Sequence, residues 1–299
     1  MKILVLGSKG QLGRCLTDQL IKTAYEVVYL SRADLDIGDL ASLVDNISSL
    51  KPNIVINASA FTAVDKAEDN HQAANLINHL AVAKLADICK SLNSWLIHIS
   101  TDYVFDGKAV MPYREDNKTN PQSIYGDTKL KGELSITTSG CNYFIIRTAW
   151  VFSEYGNNFL KTMLRLGAEH KELAIVDDQI GCPTYAQDIA KAIVFMLPNI
   201  DLKTSTSGIF HFCGNQPCSW HDFAISIFLE AKEKGYKVPT TLKKVTSAEF
   251  KSIAPRPLYS VLDCSSIKIE FDINPSNWID GIKSSIEILS LDVSSKKHI

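Results

Sequence analysis

The chain has no long apolar run, no paired cysteine spacing and no strong excess of charge. A membrane-spanning helix needs about 20 consecutive apolar residues, and none is found. Met1-Lys-Ile-Leu-Val-Leu-Gly7 opens like a secretion signal, but glycine and lysine end its apolar run too early. The seven cysteines (15, 89, 141, 182, 213, 218 and 264) are odd in number and dispersed, which reads as reduced thiols in a cytoplasmic protein. A net charge of −2 gives no general attraction to nucleic acid or to an anionic membrane. H-E-x-x-H and C-x-x-C patterns are missing, so no metal is expected. G-x-S-x-G and G-x-x-x-x-G-K-[ST] are missing too, which removes a nucleophile elbow and a P-loop. His98 and His211 fall inside strand patterns and are expected to be packed or hydrogen-bonded. Cys213 and Cys218 are expected to be a pair of buried thiols. There is no internal repeat and no long linker.

What is present is ordinary for a globular enzyme: 299 residues, 45% apolar and 21% charged. Lys2–Leu6 is apolar without alternation, as a parallel strand covered on both faces would be. It runs into Gly7-Ser-Lys-Gly10-Gln-Leu-Gly13, then an expected helix from Arg14 to Lys22 and a strand at 26–30. This is the order of a dinucleotide-binding unit. Gly7 permits the turn, Gly10 lets the backbone approach a pyrophosphate, and Gly13 lets helix and strand pack closely. The G-x-x-G-x-x-G spacing is the form found in short-chain-dehydrogenase-like proteins with an extended substrate region. After the second strand, where an acid often binds the ribose, stand Ser31 and Arg32. That pair suits a 2′-phosphate, so NADPH is expected, with NADH as the alternative. Asp36 and Ile37 are placed to hold adenine.

A helix over 39–50, a strand over 53–57 and a long helix over 70–92 follow. The small-residue loop from Ala58 through Ala60 and Phe61 to Thr62 can lie against a cofactor. The strand at 95–101 ends in Thr101, where open α/β sheets bind ligands. Tyr125 and Lys129 stand one helical turn apart, a spacing that brings an ammonium near a phenol and favours phenolate. Trp150, just past the strand at 143–147, can floor a sugar site. Arg256 is placed to clamp a substrate diphosphate. Helices over 185–197, 219–235 and 278–289, strands at 173–176, 209–212 and 242–245, a polar loop at 198–208 and a frayed tail at 294–299 complete the reading. The fold class expected is a Rossmann-type doubly wound parallel α/β sheet. Residues 1–150 form the cofactor domain, to which later segments return, and 151–299 mainly form a smaller substrate-binding lobe.

Several stretches join these motifs: Ala60-Phe-Thr-Ala-Val-Asp65-Lys-Ala-Glu68, Ser100-Thr-Asp-Tyr-Val-Phe-Asp-Gly107, Arg147-Thr-Ala-Trp150, Asn157-Asn-Phe159, Asp178-Gln-Ile-Gly-Cys-Pro-Thr184 and Trp220-His221. Together with the glycine loop and Tyr125–Lys129, they resemble the dTDP-4-dehydrorhamnose reductase family of extended short-chain dehydrogenases, from about residue 1 to 290. The resemblance implies reduction of the C4 ketone of dTDP-4-dehydro-L-rhamnose, the last step of dTDP-rhamnose synthesis for surface polysaccharides. It implies Tyr125 as proton donor and Lys129 as its tuner and a nicotinamide-ribose ligand. It places Thr101, Asp102, Trp150 and Asn158 at the sugar nucleotide, Gly10, Gln11 and Leu12 at the pyrophosphate, and 60–62 along the cofactor. Two positions depart from the pattern. Phe61 replaces a frequent histidine or tyrosine, and Cys15 replaces a glutamate that in some members joins a magnesium-linked dimer; a homodimer remains an expectation. Two other readings stand beside this one. A dehydratase or epimerase of the same fold would hold its NAD tightly, and a dehydratase would read Thr-Asp-Glu where Thr101-Asp102-Tyr103 occurs. A regulatory subunit related to that of methionine adenosyltransferase would bind rather than catalyse.

Overall fold

A computed structural model describes residues 1–201 and 206–296. Its main sheet contains β1 (Lys2–Leu6), β2 (Glu26–Leu30), β3 (Ile54–Asn57), β4 (Trp95–Thr101) and β5 (Asn142–Thr148), with the strand Gly208–His211 at one edge. From that edge the order is Gly208–His211, β5, β4, β3, β1, β2, and every pair is parallel. The chain builds outward from β1 to β2, then returns to the other side at β3. The crevice beyond the carboxyl ends of β1 and β3 is the switch point where such sheets bind ligands.

Alternation along β1 explains the two covering layers. Ile3 and Val5 pack with Leu12 and Leu16 of α1 (Gln11–Leu20). Leu4 and Leu6 pack on the other face with Leu43 and Ile47 of α2 (Leu40–Leu50). That second layer continues, after the short helices α3 (Val64–Asp69) and α4 (His71–Asn75), with α5 (Ala81–Leu92) and α6 (Ile124–Ser139). Each fully buried aliphatic side chain of this kind contributes roughly 1.5–3 kcal/mol. A third core gathers α7 (Phe159–Glu169), the parallel pair Glu172–Val176 with Thr241–Val245, and α9 (Trp220–Glu233). Between them in sequence, α8 (Ala186–Asp201) packs against the sheet beside α1, and Gln19 donates to Gln187 at 2.9 Å.

Several local expectations change. The first helix begins at Gln11 rather than Arg14, so Gly10 is its N-cap and Gly13 lies inside its first turn. A Cβ at Gly13 would stand 2.1 Å from the Gly7 carbonyl oxygen, so only glycine fits. The helix expected over 70–92 is interrupted by a π turn at Leu76–Leu80. There Asn78 is aimed away from the regular ladder and holds Phe61 through both backbone groups. The helix expected to stop at Leu197 continues through Pro198 to Asp201; so near the end, proline forfeits one backbone bond. Residues 202–205 of the loop expected at 198–208 lie outside the described residues. The last helix runs from Trp278 to Lys296. Of the tail expected to fray, 297–299 lie outside the described residues. His98 and His211 are buried and hydrogen-bonded. Cys213 and Cys218 are both buried thiols, as expected; the Cys213 sulfur lies 3.6 Å from that of Cys264, and Cys218 joins the third core. No described helix is long and apolar enough to cross a membrane.

Candidate active site

A cleft of about 780 Å³ runs along the carboxyl ends of the strands, from the glycine loop to the third core. Gly7, Gly10, Gln11 and Leu12 line one end of it. No side chain caps the first N–H groups of α1. Free N–H groups and the positive end of the helix dipole fit an anionic pyrophosphate there. Gly13 is not in the lining; its place is the helix–loop contact. Arg32, Asp36 and Ile37 border the adjoining recess. Arg32 is 86% exposed and paired with Asp36 at 3.1 Å, so its guanidinium is at the surface of the recess. Ser31 differs from expectation: it is buried, and its hydroxyl donates to Asp34 at 2.6 Å. Arg32 and Lys9 are the cations that line this end of the cleft.

Ala58, Ala60, Phe61 and Thr62 form the wall beyond β3. Asn78 fixes that wall, accepting from Phe61 N at 2.8 Å and donating to Phe61 O at 3.1 Å, while also reaching Thr128. Sequence reasoning missed Asn78; an asparagine in the buried stripe of a helix was the available signal.

At the end of β4, Thr101 accepts from Tyr103 N at 3.2 Å and donates to Asp102 Oδ1 at 3.0 Å. Burial pushes Asp102 up to about 6, and the nearby Ser260 and Thr101 hydroxyls pull the other way. Its Oδ2 has no partner among the described residues. Tyr125 faces the same end of the cleft, its ring edge-on to Tyr103 with centroids 5.5 Å apart. Burial raises its phenol, and the Thr101 hydroxyl beside it pulls the other way. Lys129 shares that helix face but does not reach the phenol: Nζ lies 2.6 Å from Ile99 O and 3.2 Å from His98 Nε2. Burial lowers Lys129 to about 8.

Trp150 and Trp220 form an aromatic floor, stacked 3.5 Å apart and 8° from parallel. Trp150 adopts the left-handed backbone (φ 48°), a strained conformation for a bulky residue. Trp220 donates to Gln179 at 3.1 Å, and Gly181 lies against the Trp150 indole. Asn158 borders the cleft, but its polar atoms are engaged by the protein. Nδ2 donates to Gln11 Oε1 at 2.7 Å and to the Ser153 and Tyr155 carbonyls, and Oδ1 caps α7. Arg256 reaches the cleft from the far side and donates to Asp65 at 2.8 Å, with its buried Nε unpartnered among the described residues. Cys15 is fully buried and offers no ligand at the surface. Among the described residues one group has metal-ligand spacing, Asp177 with His221 and Asp222. Two of its carboxylates are already engaged: Asp177 by Ser219 and Lys244, Asp222 by the Ser219 backbone.

The family model described as the RmlD substrate binding domain matches residues 1–291. A dTDP-4-dehydrorhamnose reductase of Aggregatibacter actinomycetemcomitans is 41% identical over 286 residues, covering 95% of this chain and 97% of that protein. The crystal structure of a dTDP-4-dehydrorhamnose reductase of Clostridium acetobutylicum superposes with a TM-score of 0.90 at 39% identity, covering 97% of this chain and 99% of the other. Another, from Bacillus anthracis in complex with NADP, superposes with a TM-score of 0.87 at 34% identity, covering 95% and 98%.

Proposed function

Because the chain belongs to the dTDP-4-dehydrorhamnose reductase family, we propose that it works as such a reductase through Tyr125, Thr101 and Lys129. It reduces the C4 ketone of dTDP-4-dehydro-L-rhamnose to dTDP-L-rhamnose with NADPH. The observation that carries the assignment of roles is the meeting of Thr101 and Tyr125 with a tryptophan floor, at the end of a cleft that begins at a glycine loop.

The glycine loop, Arg32 and the 58–62 wall fit NADPH, which when bound supplies the hydride. The protein's own work is at the ketone oxygen. As hydride arrives, negative charge grows on that oxygen. Tyr125 donates its proton there, and the Thr101 hydroxyl turns from Asp102 to donate a hydrogen bond. Lys129, as an ammonium, stabilises the tyrosinate left behind. Trp150 packs on the sugar ring, and Arg256 brings its guanidinium charge to the substrate diphosphate. Asp102 accepts the Thr101 hydroxyl while the site is empty and releases it to the substrate. Tyr103, rather than a glutamate, follows Asp102, so the acid that drives elimination in a dehydratase is missing from this loop. The protein acts in the cytoplasm, and a homodimer would have to form without a ligand from position 15.

The test is NADPH oxidation with substrate generated in place from dTDP-glucose by the dehydratase and the 3,5-epimerase. Oxidation that requires both upstream enzymes supports the reading. A folded protein that binds NADPH yet oxidises none of it overturns it.

A further inference from the structure

Asn57, His98 and Lys129 form a line beneath the cleft, and none is more than 1% exposed. Asn57 is oriented by the backbone: its Oδ1 accepts from Ser59 N at 3.0 Å. The amide nitrogen therefore points to His98 Nδ1, 3.1 Å away, and donates to it. Nδ1 must be the bare nitrogen of the ring. Burial, then the neighbouring Lys129, hold His98 well below its usual range, so the ring is neutral and its one proton is on Nε2. That N–H faces Lys129 Nζ at 3.2 Å. An ammonium has three donors and no lone pair, so the two groups would meet as donors. An amine can give one N–H to Ile99 O at 2.6 Å and receive the His98 N–H on its lone pair.

Resting on the Tyr125–Lys129 reading, we propose that the Asn57–His98 pair is a positioning device that disfavours the ammonium of Lys129 in the ligand-free enzyme. Burial, rather than a neighbouring charge, is what lowers Lys129. His98 faces it from β4. Glu133, one turn further along α6, favours the ammonium, but its carboxylate is bound by Arg147 from β5 at 2.7 Å. Burial outweighs Glu133. Molecules that hold the amine, the majority only above about pH 8, gain the ammonium needed beside the tyrosinate by uptake of one proton from solvent as the side chain leaves His98; no electron moves.

The experiment is an NMR titration of ligand-free enzyme carrying ¹³Cε-lysine and ¹⁵N-histidine, with Lys129→Met identifying the lysine signal. The Lys129 carbon should inflect near pH 8, well below the ordinary lysine value of 10.5. His98 should carry its proton on Nε2 and not titrate across about pH 5–9. His98→Gln offers Lys129 an amide oxygen, and Asn57→Asp moves the ring proton to Nδ1; each should raise the inflection by about one unit or more. The proposal is overturned by a wild-type Lys129 inflecting with the other lysines, by a proton on Nδ1 of His98, or by inflections unmoved in both variants. None of these readings uses the sugar. A chain that shows the lysine behaviour but no sugar-dependent oxidation would overturn the reductase reading alone.

Discussion

Gly181→Ala tests whether the tryptophan floor sets the geometry of reduction. A Cβ at Gly181 would stand 2.5 Å from Trp150 Cε2, against an ordinary contact of 3.4 Å or more, so the indole must shift by about 0.9 Å. It has nowhere easy to go. Trp220 is stacked on it at 3.5 Å, and its backbone is fixed in the left-handed region. A misplacement of about 1 Å in a substrate-positioning group can cost roughly 10²-fold. The variant should therefore lose about that factor in kcat/KM for the sugar nucleotide, while its affinity for NADPH, which uses the opposite end of the cleft, is retained. Steady-state NADPH oxidation and cofactor titration by fluorescence measure the two quantities. A Gly181→Ala enzyme with near-normal kcat/KM would refute the rigidity argument, because the ring would have moved without consequence.

Three further outcomes follow from the same geometry. Tyr125→Phe should lower turnover by about 10²–10⁴-fold with NADPH affinity unchanged, as read by single-turnover kinetics and equilibrium binding. Arg32→Ala should weaken NADPH about tenfold and leave NADH nearly unaffected; equal losses for both in calorimetric titrations would show that Arg32 does not meet the 2′-phosphate. Asp102 has a folded pKa of about 6, above its ordinary value of 3.8, so its contribution to stability is full below the ordinary value and is lost as pH rises through 6. Asp102→Asn should thus gain stability relative to wild type between acid and neutral pH, by up to about 3 kcal/mol in urea unfolding, and a difference independent of pH would count against the buried carboxyl.

The main sheet was legible because its strands are short apolar runs bounded by glycine, asparagine and proline, and such runs report burial on both faces. The glycine loop, Thr101, Tyr125 and Trp150 were legible because their chemistry follows from their places at strand ends and on one helix face. The start of α1 was misplaced by three residues because Gly10 and Gly13 look like loop in sequence, although Gly13 is helical so that α1 can touch Gly7. Asn78, Gly181 and the Asn57–His98 pair behind Lys129 were not legible as parts of the site. Each acts on a partner 17 to 41 residues away, through contacts that no local spacing encodes. Asn158 was legible as a residue of the site but not in its role, because only the fold shows that its amide is committed to Gln11.

Gln11 gives the cleft a property beyond that of its two ends. It sits in the phosphate loop, yet its side chain donates to Val151 O and accepts from Ser153 and Asn158, about 140 residues later and next to the sugar floor. A ligand that draws on Gln11 at one end alters the bonds available at the other. Linkage makes that influence reciprocal: whatever factor NADPH exerts on affinity for the sugar nucleotide, the sugar nucleotide exerts on affinity for NADPH. The two sites can then report each other's occupancy through one amide, without a hinge or a moving domain.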